Sequence, residues 1–434
     1  MGTINKKNIM IENRSEQWVA QEIYNKWNKK RLDVPDFQRE DIWDNPRKSR
    51  LIESMIRGIP IPPIYILEKE DKFLVVDGQQ RIRSIVDYID EKFKLSGLEM
   101  LKDELTNYKY SNLKGKQEFA NKFHEVKIPV VIIKTDDKEI VYEIFDRLNT
   151  GGMQLNAQEI RNCIYHGTYN DMIKEIAKSN ENFKSIFGKS YKKQHDRMQD
   201  AELVLRFFAF SRYSINNLDN CKSSPLKRFL NKEMEDHQNL KEDELNELKN
   251  LFENTIKLAR EIFGDKAFRM FNVGTSDDKN AKWDDKISRG LFDCVIWGLS
   301  KYAEKREEKN CIVKCKDTIY EELLNLMTFD KMFIDAVKNR NHDQDQVEYR
   351  FSKWLNSINE ITKLPNNSFS LRVKNEIYNK DNKCGVCGGR IEDINDAVID
   401  IKNNEKPYWK GGVIPMYANM QHRYCAKSKD EKQQ

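Results

Sequence analysis

Two stretches of this chain carry residue types suited to chemistry. The first is "VVDGQQRIRSI", Val75 to Ile85. A plain turn needs only the Asp-Gly pair; Gln79, Gln80 and Arg81 exceed that need. The backbone N–H groups after such a turn open a helix, and a helix N-terminus is an anion site. Arg81 adds a fork of donors matched to phosphate. Asp77 can hold a metal ion or a water, and the two amides can orient a water or a base edge. A second Gln-Arg pair, Gln38 and Arg39, stands in "FQRE", a loop ahead of a helix. Either cluster alone also reads as a solvated surface turn.

The second stretch is the tail. Cys384-x-x-Cys387 and His422-x-x-Cys425 are two chelating pairs of equal spacing, with 34 residues between them. Three thiolates and an imidazole make a closed tetrahedral zinc site. A segment this short and this poor in apolar residues needs such a staple. The other five cysteines, Cys163, Cys221, Cys294, Cys311 and Cys315, fall in helix-like sequence and read as buried thiols.

The elements that must position these groups follow from periodicity. Residues 15–30 space apolar residues as a helix does. "PRKSRLIESMIRG" is a helix with Pro46 in its first turn and Gly58 at its end. "PPIYILEKEDKFLVVDGQQ" reads as a hairpin turning at "EKEDK". "RIRSIVDYID" is a helix beginning after the Gln pair. "VKIPVVIIKT" is a strand, and "DKEIVYEIFDRLNTGG" is a helix ending at Gly151-Gly152. From about 155 to 360 the pattern is helical throughout, as in "RMQDAELVLRFFAFSRY" and "DELNELKNLFENTIKLAREIFG". "DDKNAKWDDK" and "KNRNHDQDQVEYR" read as surface loops. The expected fold class is α+β: a mixed α/β domain at 1–155, a mainly helical domain at 156–365 and a small zinc-stapled domain at 370–434.

Composition bounds the partners. The 434 residues are 39% hydrophobic, 33% charged and 10% aromatic, which fits a folded protein with a wet surface. Net charge is +5, from 75 basic and 70 acidic residues, so no uniform basic coat exists, though a local basic face is compatible with it. No stretch approaches the roughly 20 apolar residues of a membrane span, and the start lacks a signal-peptide core. The expectation is a cytoplasmic protein with reduced cysteines and no membrane partner. The oligomeric state stays open, a homo-oligomer included.

Five blocks in order, "VPDFQREDIW", "SRLIESMIRGIPIPPIYI", "VVDGQQRIRSI", "IFDRLNTGGMQLNAQEIRNCIYHG" and "RMQDAELVLRFFA", resemble the N-terminal module of the GmrSD restriction family. The resemblance covers roughly residues 15–360. It implies a ParB-like fold followed by a helical domain. It also implies that "DGQQR" handles a nucleotide: Asp77, Gln79, Gln80 and Arg81 in the reacting site, with Gln38, Arg39, Gly78, Asn149 and Gly151 binding beside it. GmrSD and SspE proteins are bacterial anti-phage restriction factors that recognise modified DNA. By resemblance the partners are modified phage DNA and a nucleoside triphosphate, with Mg or Mn for the lineage chemistry. The residue types fit, because phosphoryl transfer rests mainly on positioning and charge neutralisation.

The tail resembles an HNH endonuclease domain of the ββα-metal type. "KPYWKGG" and "HRYC" match well; the catalytic pieces do not. Counting back from Pro407 puts Asn403-Asn404 in the Asp-His slot. Counting from "AVID" puts Asp400 there, with Ile401 in the place of His. Asn419 fits the middle Asn, and Ala426 stands where a second metal-binding His or Asn belongs. Neither an amide nor isoleucine serves as a general base near neutral pH. Asp400 and Glu405 could hold a metal in another arrangement. The sequence leaves open whether this loss is natural or introduced. The reading is a restriction protein coupling nucleotide hydrolysis to DNA recognition, with cleavage crippled. The alternative is a non-enzymatic sensor of modified DNA or a partner-binding protein.

Overall fold

The computed structural model describes residues 11–34, 43–69, 72–148, 155–212, 226–338, 344–363, 371–400 and 419–433. The chain divides into two compact units, Met1–Ile164 and Tyr165–Gln434. It is mixed α+β.

The first unit is built on a five-stranded sheet, β1 (Glu12–Trp18), β2 (Leu32–Asp33), β3 (Ile64–Lys69), β4 (Lys72–Asp77) and β5 (Ile128–Lys134), in the order β1-β5-β3-β4-β2. β3 pairs antiparallel with β4 and parallel with β5, and β1 closes one edge antiparallel to β5. The hairpin expected at 62–80 is present, its turn at 70–71 lying outside the described residues. Residues 15–18 differ from expectation: they are strand, and α1 begins only at Ala20 and ends at Asn28. β1 is an edge strand and mostly exposed, so its sequence "ENRSEQW" carries no alternation to announce it.

α2 (Asn45–Arg57) is capped as its sequence suggests. The Asp44 carboxylate accepts from the Arg47 N–H, and Gly58 closes it at φ +72°. α3 (Gln79–Ile89) follows β4 directly. Its buried Ile82, Ile85 and Val86 join Ile52, Ile64, Val75 and Val130 in one core. Each such side chain contributes about 1.5–3 kcal/mol on burial, so the β4–α3 junction is anchored on both sides.

The second unit is mainly helical. Its longest helix is Glu242–Phe263, and the helices Gln199–Arg212, Arg289–Ala303 and Gln344–Thr362 meet at a buried charge cluster. Arg206 Nε donates to Asp293 Oδ1 at 2.8 Å, and Arg350 Nη2 lies 3.4 Å from Asp293 Oδ2. The stretch expected as uninterrupted helix contains a hairpin, β6 (Arg269–Asn272) with β7 (Lys282–Ile287). The loop expected at "DDKNAKWDDK" is therefore partly strand. β7 is largely exposed, and only Met270 and Phe271 on its partner are buried, so the pattern lacked an apolar face. The tail adds β8 (Ala397–Asp400), antiparallel to β9 (Asn419–His422), then the helix Arg423–Gln433.

Candidate functional sites

The strand–turn–helix at Asp77–Arg81 gathers its side chains by backbone geometry. Gly78 sits at φ +98° as the N-cap of α3. A Cβ there would lie 2.9 Å from Ile64 Cγ1, so only glycine fits. α3 starts at Gln79, two residues earlier than the sequence suggests, because a left-handed glycine caps it and no capping side chain marks the boundary. The Gln pair and Arg81 therefore occupy the helix's first turn. Arg81 Nη2 donates to Asp77 Oδ2 at 2.7 Å and to the Pro63 carbonyl at 3.0 Å. That fork bridges the end of β4 to the chain entering β3. Gln80 Oε1 accepts from the Trp43 N–H at 3.3 Å.

Two donors in this turn lack acceptors. Gln79 is 8% exposed, and among the described residues neither its Nε2 nor Arg81 Nε finds a hydrogen-bond partner. A buried donor without an acceptor costs about 1–3 kcal/mol. Both orphans are donors on the first turn of a helix, where the N–H groups and the macrodipole also favour negative charge. Gln38, Arg39, Asn149 and Gly151 lie outside the described residues.

Beyond the motif, α3 carries a second polar group that sequence reading missed. Lys48 Nζ on α2 and Lys92 Nζ each lie 2.9 Å from one oxygen of Asp87. Burial pushes the Asp87 carboxyl up, but hydrogen bonds from Lys48 and Lys92 outweigh it and hold it below 3.8. Asp87 stands seven residues after Gln80, a spacing that puts both on one helical face once α3 is known to start at Gln79.

The tail brings its four metal candidates together. The ligand atoms of Cys384, Cys387, His422 and Cys425 all lie within 4.8 Å of one another. Cys384 and Cys387 flank a tight turn in which Gly388 N–H returns to the Cys384 carbonyl at 2.8 Å, with Gly388 at φ +71°. His422 ends β9, and Cys425 sits in the first turn of the following helix. His422 Nε2 lies 3.1 Å from the Arg390 carbonyl, which leaves Nδ1 facing Cys387 Sγ at 3.5 Å. That outer contact orients the ring as metal-ligating histidines require.

The thiols oppose one another electrostatically. Burial raises the Cys384 thiol, but N–H groups of Cys387, His422 and Val386 overcome it and bring it down to about 6. Burial and the neighbouring Cys387 and Cys384 sulfurs push Cys425 up to about 12. Three thiolates at this spacing need a dication. The donor set fits zinc, which the four side chains can hold in a closed site that supplies folding energy.

Arg423, between two of those candidates, is fully buried. Its Nε donates to the Asn395 carbonyl at 2.7 Å and its Nη1 to Asn325 Oδ1 at 2.9 Å, while Nη2 pairs with Glu321. Lys374 Nζ holds the other Glu321 oxygen at 2.9 Å. Asp396 accepts from the Ala281 and Arg423 N–H groups, and burial pushes its carboxyl up to about 6. No local pattern announced this network. Of the HNH-type positions, Asp400 and Asn419 are paired across β8 and β9, and Ala426 is in the final helix. Asn403, Asn404 and Glu405 lie outside the described residues.

Residues 20–166 match the N-terminal domain of the GmrSD restriction endonuclease family. The matched stretch contains α1, α2 and the whole Asp77–Arg81 turn, and it covers about a third of the chain. Over that stretch the chain is similar to a restriction-endonuclease domain, which supports a role in restriction and makes DNA a partner of the family it resembles. No curated protein and no solved structure matches the chain.

Proposed function

We propose that the chain is a restriction factor in which the Asp77–Arg81 turn binds and hydrolyses a nucleoside triphosphate and the tail contacts modified phage DNA. The observation that carries this is the pair of orphan donors, Gln79 Nε2 and Arg81 Nε, inside the GmrSD-like stretch. Triphosphate oxygens satisfy both, and the α3 N-terminus favours their charge. In this reading Gln79 and Arg81 hold the phosphates, Gln80 is fixed by Trp43, and Asp77 keeps Arg81 in place. A Mg or Mn ion supplies charge neutralisation when bound. A ParB-like fold for the first unit, and the three-part division at 155 and 365–370, belong to the same reading. So does an HNH-like tail stapled by zinc at Cys384, Cys387, His422 and Cys425.

Cutting by this tail is weak in the proposal, because Ala426 and either alignment of the Asp-His slot lack a base or metal ligand. Metal-dependent cleavage of phage DNA is expected only after Asn404→His with Ala426→Asn. The test of the whole is multiple-turnover phosphate release, with and without modified DNA. Turnover stimulated by modified DNA supports the reading; its absence with every nucleotide contradicts it. One contact favours binding without turnover: the motif's single carboxylate, Asp77, is engaged by Arg81 at 2.7 Å and not poised as a base. Stoichiometric nucleotide binding with no phosphate release would select that non-enzymatic sensor.

A further inference from the structure

A cavity of about 410 Å³ opens among α1, α2 and α3. Three cations line it, Lys48, Arg83 and Lys92, against one carboxylate, Asp87, with Trp27 and Phe93 as aromatic walls. Its cations are positioned and not merely present. Lys48 is 4% exposed; its ammonium is pinned 2.9 Å from Asp87 Oδ2 and 5.6 Å over the Phe93 ring. Lys92 is held from the other side, 2.9 Å from Asp87 Oδ1 and 3.2 Å from Asp90. Arg83 stands one turn before Asp87 on α3. Side chains three and four residues apart share a helix face, so Arg83 follows directly from both Gln79 and Gln80. On the other wall, Asn45 lines the cavity two residues beyond Trp43, whose N–H is bonded to Gln80. Gln80, Arg83 and Asp87 thus share the face of α3 on which the cavity opens.

We propose that this cavity receives the polyphosphate chain of the nucleoside triphosphate, extending the site that starts at the Asp77–Arg81 turn. The claim rests on the nucleotide reading above. Among the described lining residues three cations stand against the one carboxylate Asp87, with Asp90 beside Lys92 outside the lining. The volume lies within the roughly 300–1,000 Å³ of small-ligand sites. Arg83 lies about one helical turn, roughly 5.4 Å, along α3 from the Gln pair, a step that successive phosphoryl groups can span. Lys48, buried and pre-set, acts as a point charge, while the more exposed Lys92 and the fork of Arg83 grip the outer oxygens.

The test uses the full chain and calorimetric titration with tripolyphosphate, each nucleoside triphosphate and the free nucleosides. The variants are Arg83→Gln, Lys92→Gln and the two together; Lys48 is spared because its burial endangers folding. Thermal melts confirm that each variant folds. Tripolyphosphate is expected to bind one-to-one and to compete with the triphosphate. Each substitution is expected to weaken both by about tenfold, one charge-assisted contact's worth, leaving nucleoside affinity unchanged. Triphosphate binding lost in Arg81→Lys but untouched by Arg83→Gln with Lys92→Gln would overturn the cavity and leave the turn's reading standing. Tripolyphosphate binding that these two substitutions abolish, with no nucleotide bound by the wild type, would support an anion cavity while removing the nucleotide reading. No binding of either probe to the wild type overturns the proposal. So does a short DNA duplex that displaces tripolyphosphate, because the cavity would then be a backbone-phosphate site.

Discussion

At Asp77–Arg81 buried donors are short of acceptors; at Cys384–Cys425 the thiols are too many to be ionised together without a cation. The two imbalances have opposite senses. The turn is fixed by groups that ask nothing of a ligand: Gly78 against Ile64, and Arg81 on Asp77 and the Pro63 carbonyl. In the cluster, a bound zinc would itself be part of the scaffold. The turn at Cys384, the chain at Ile391, β8, β9 and the final helix carry a small apolar group, Cys384, Ile391, Ala397, Ile399, Met420 and Cys425, two of whose members are metal candidates. Ligand binding should therefore change activity at the turn and folding at the cluster.

The largest effect is expected at the cluster. Cys384→Ser should lose one bound zinc per chain by elemental analysis and open the tail to proteolysis. Structural zinc in small domains carries on the order of 10 kcal/mol of folding energy, and a four-residue apolar core around the ligands cannot replace it. A zinc-free tail that stays protease-resistant would break the contrast at once.

Next comes Arg423. Its guanidinium is buried among Glu321, Asn325 and the Asn395 carbonyl, and Arg423→Ala leaves Glu321 with Lys374 alone. Breaking a buried pair costs about 3–5 kcal/mol, so a large fall in the denaturation midpoint is expected. Gly78→Ala should cost less, about 1–3 kcal/mol, from the φ of +98° and the approach to Ile64. The smallest effect is on pH dependence. Asp87 is held below 3.8 in the folded chain, so its stability contribution is present above pH 4 and is lost as pH falls through the lower folded value. Asp87→Asn should flatten the acid limb of a denaturation series below pH 4 and leave the slope near neutrality unchanged.

Local signals were legible in the sequence and long-range ones were not. The two chelating pairs could be read because each pair is set by spacing alone. The strand–turn–helix could be read because Val75–Val76 end in Asp-Gly. The start of α3 was misplaced because a left-handed glycine caps it, leaving no Ser, Thr, Asp or Asn to see. β1 and β7 were missed because edge and exposed strands need no apolar alternation, and the pairing partner of β1 lies far along the chain. Lys48 and Lys92 meet at Asp87, and Arg423 meets Glu321, across 39 and 102 residues for the Lys48 and Arg423 pairs. Spacing rules cannot reach such contacts. Arg81 also holds the Pro63 carbonyl at 3.0 Å. Arg81→Ala would expose a carbonyl and Asp77, so Arg81→Lys, which keeps the charge and loses the fork, is the cleaner probe.

The contrast is tested most directly by nucleotide titration of three full chains, the wild type, Arg81→Lys and Cys384→Ser, each with its thermal melt. Arg81→Lys is expected to keep the wild-type melt within a few degrees and lose at least tenfold in nucleotide affinity. Cys384→Ser is expected to lose its zinc and its folded tail and to bind nucleotide as the wild type does. Equal nucleotide affinity in the wild type and Arg81→Lys would contradict the assignment of the turn as the nucleotide site.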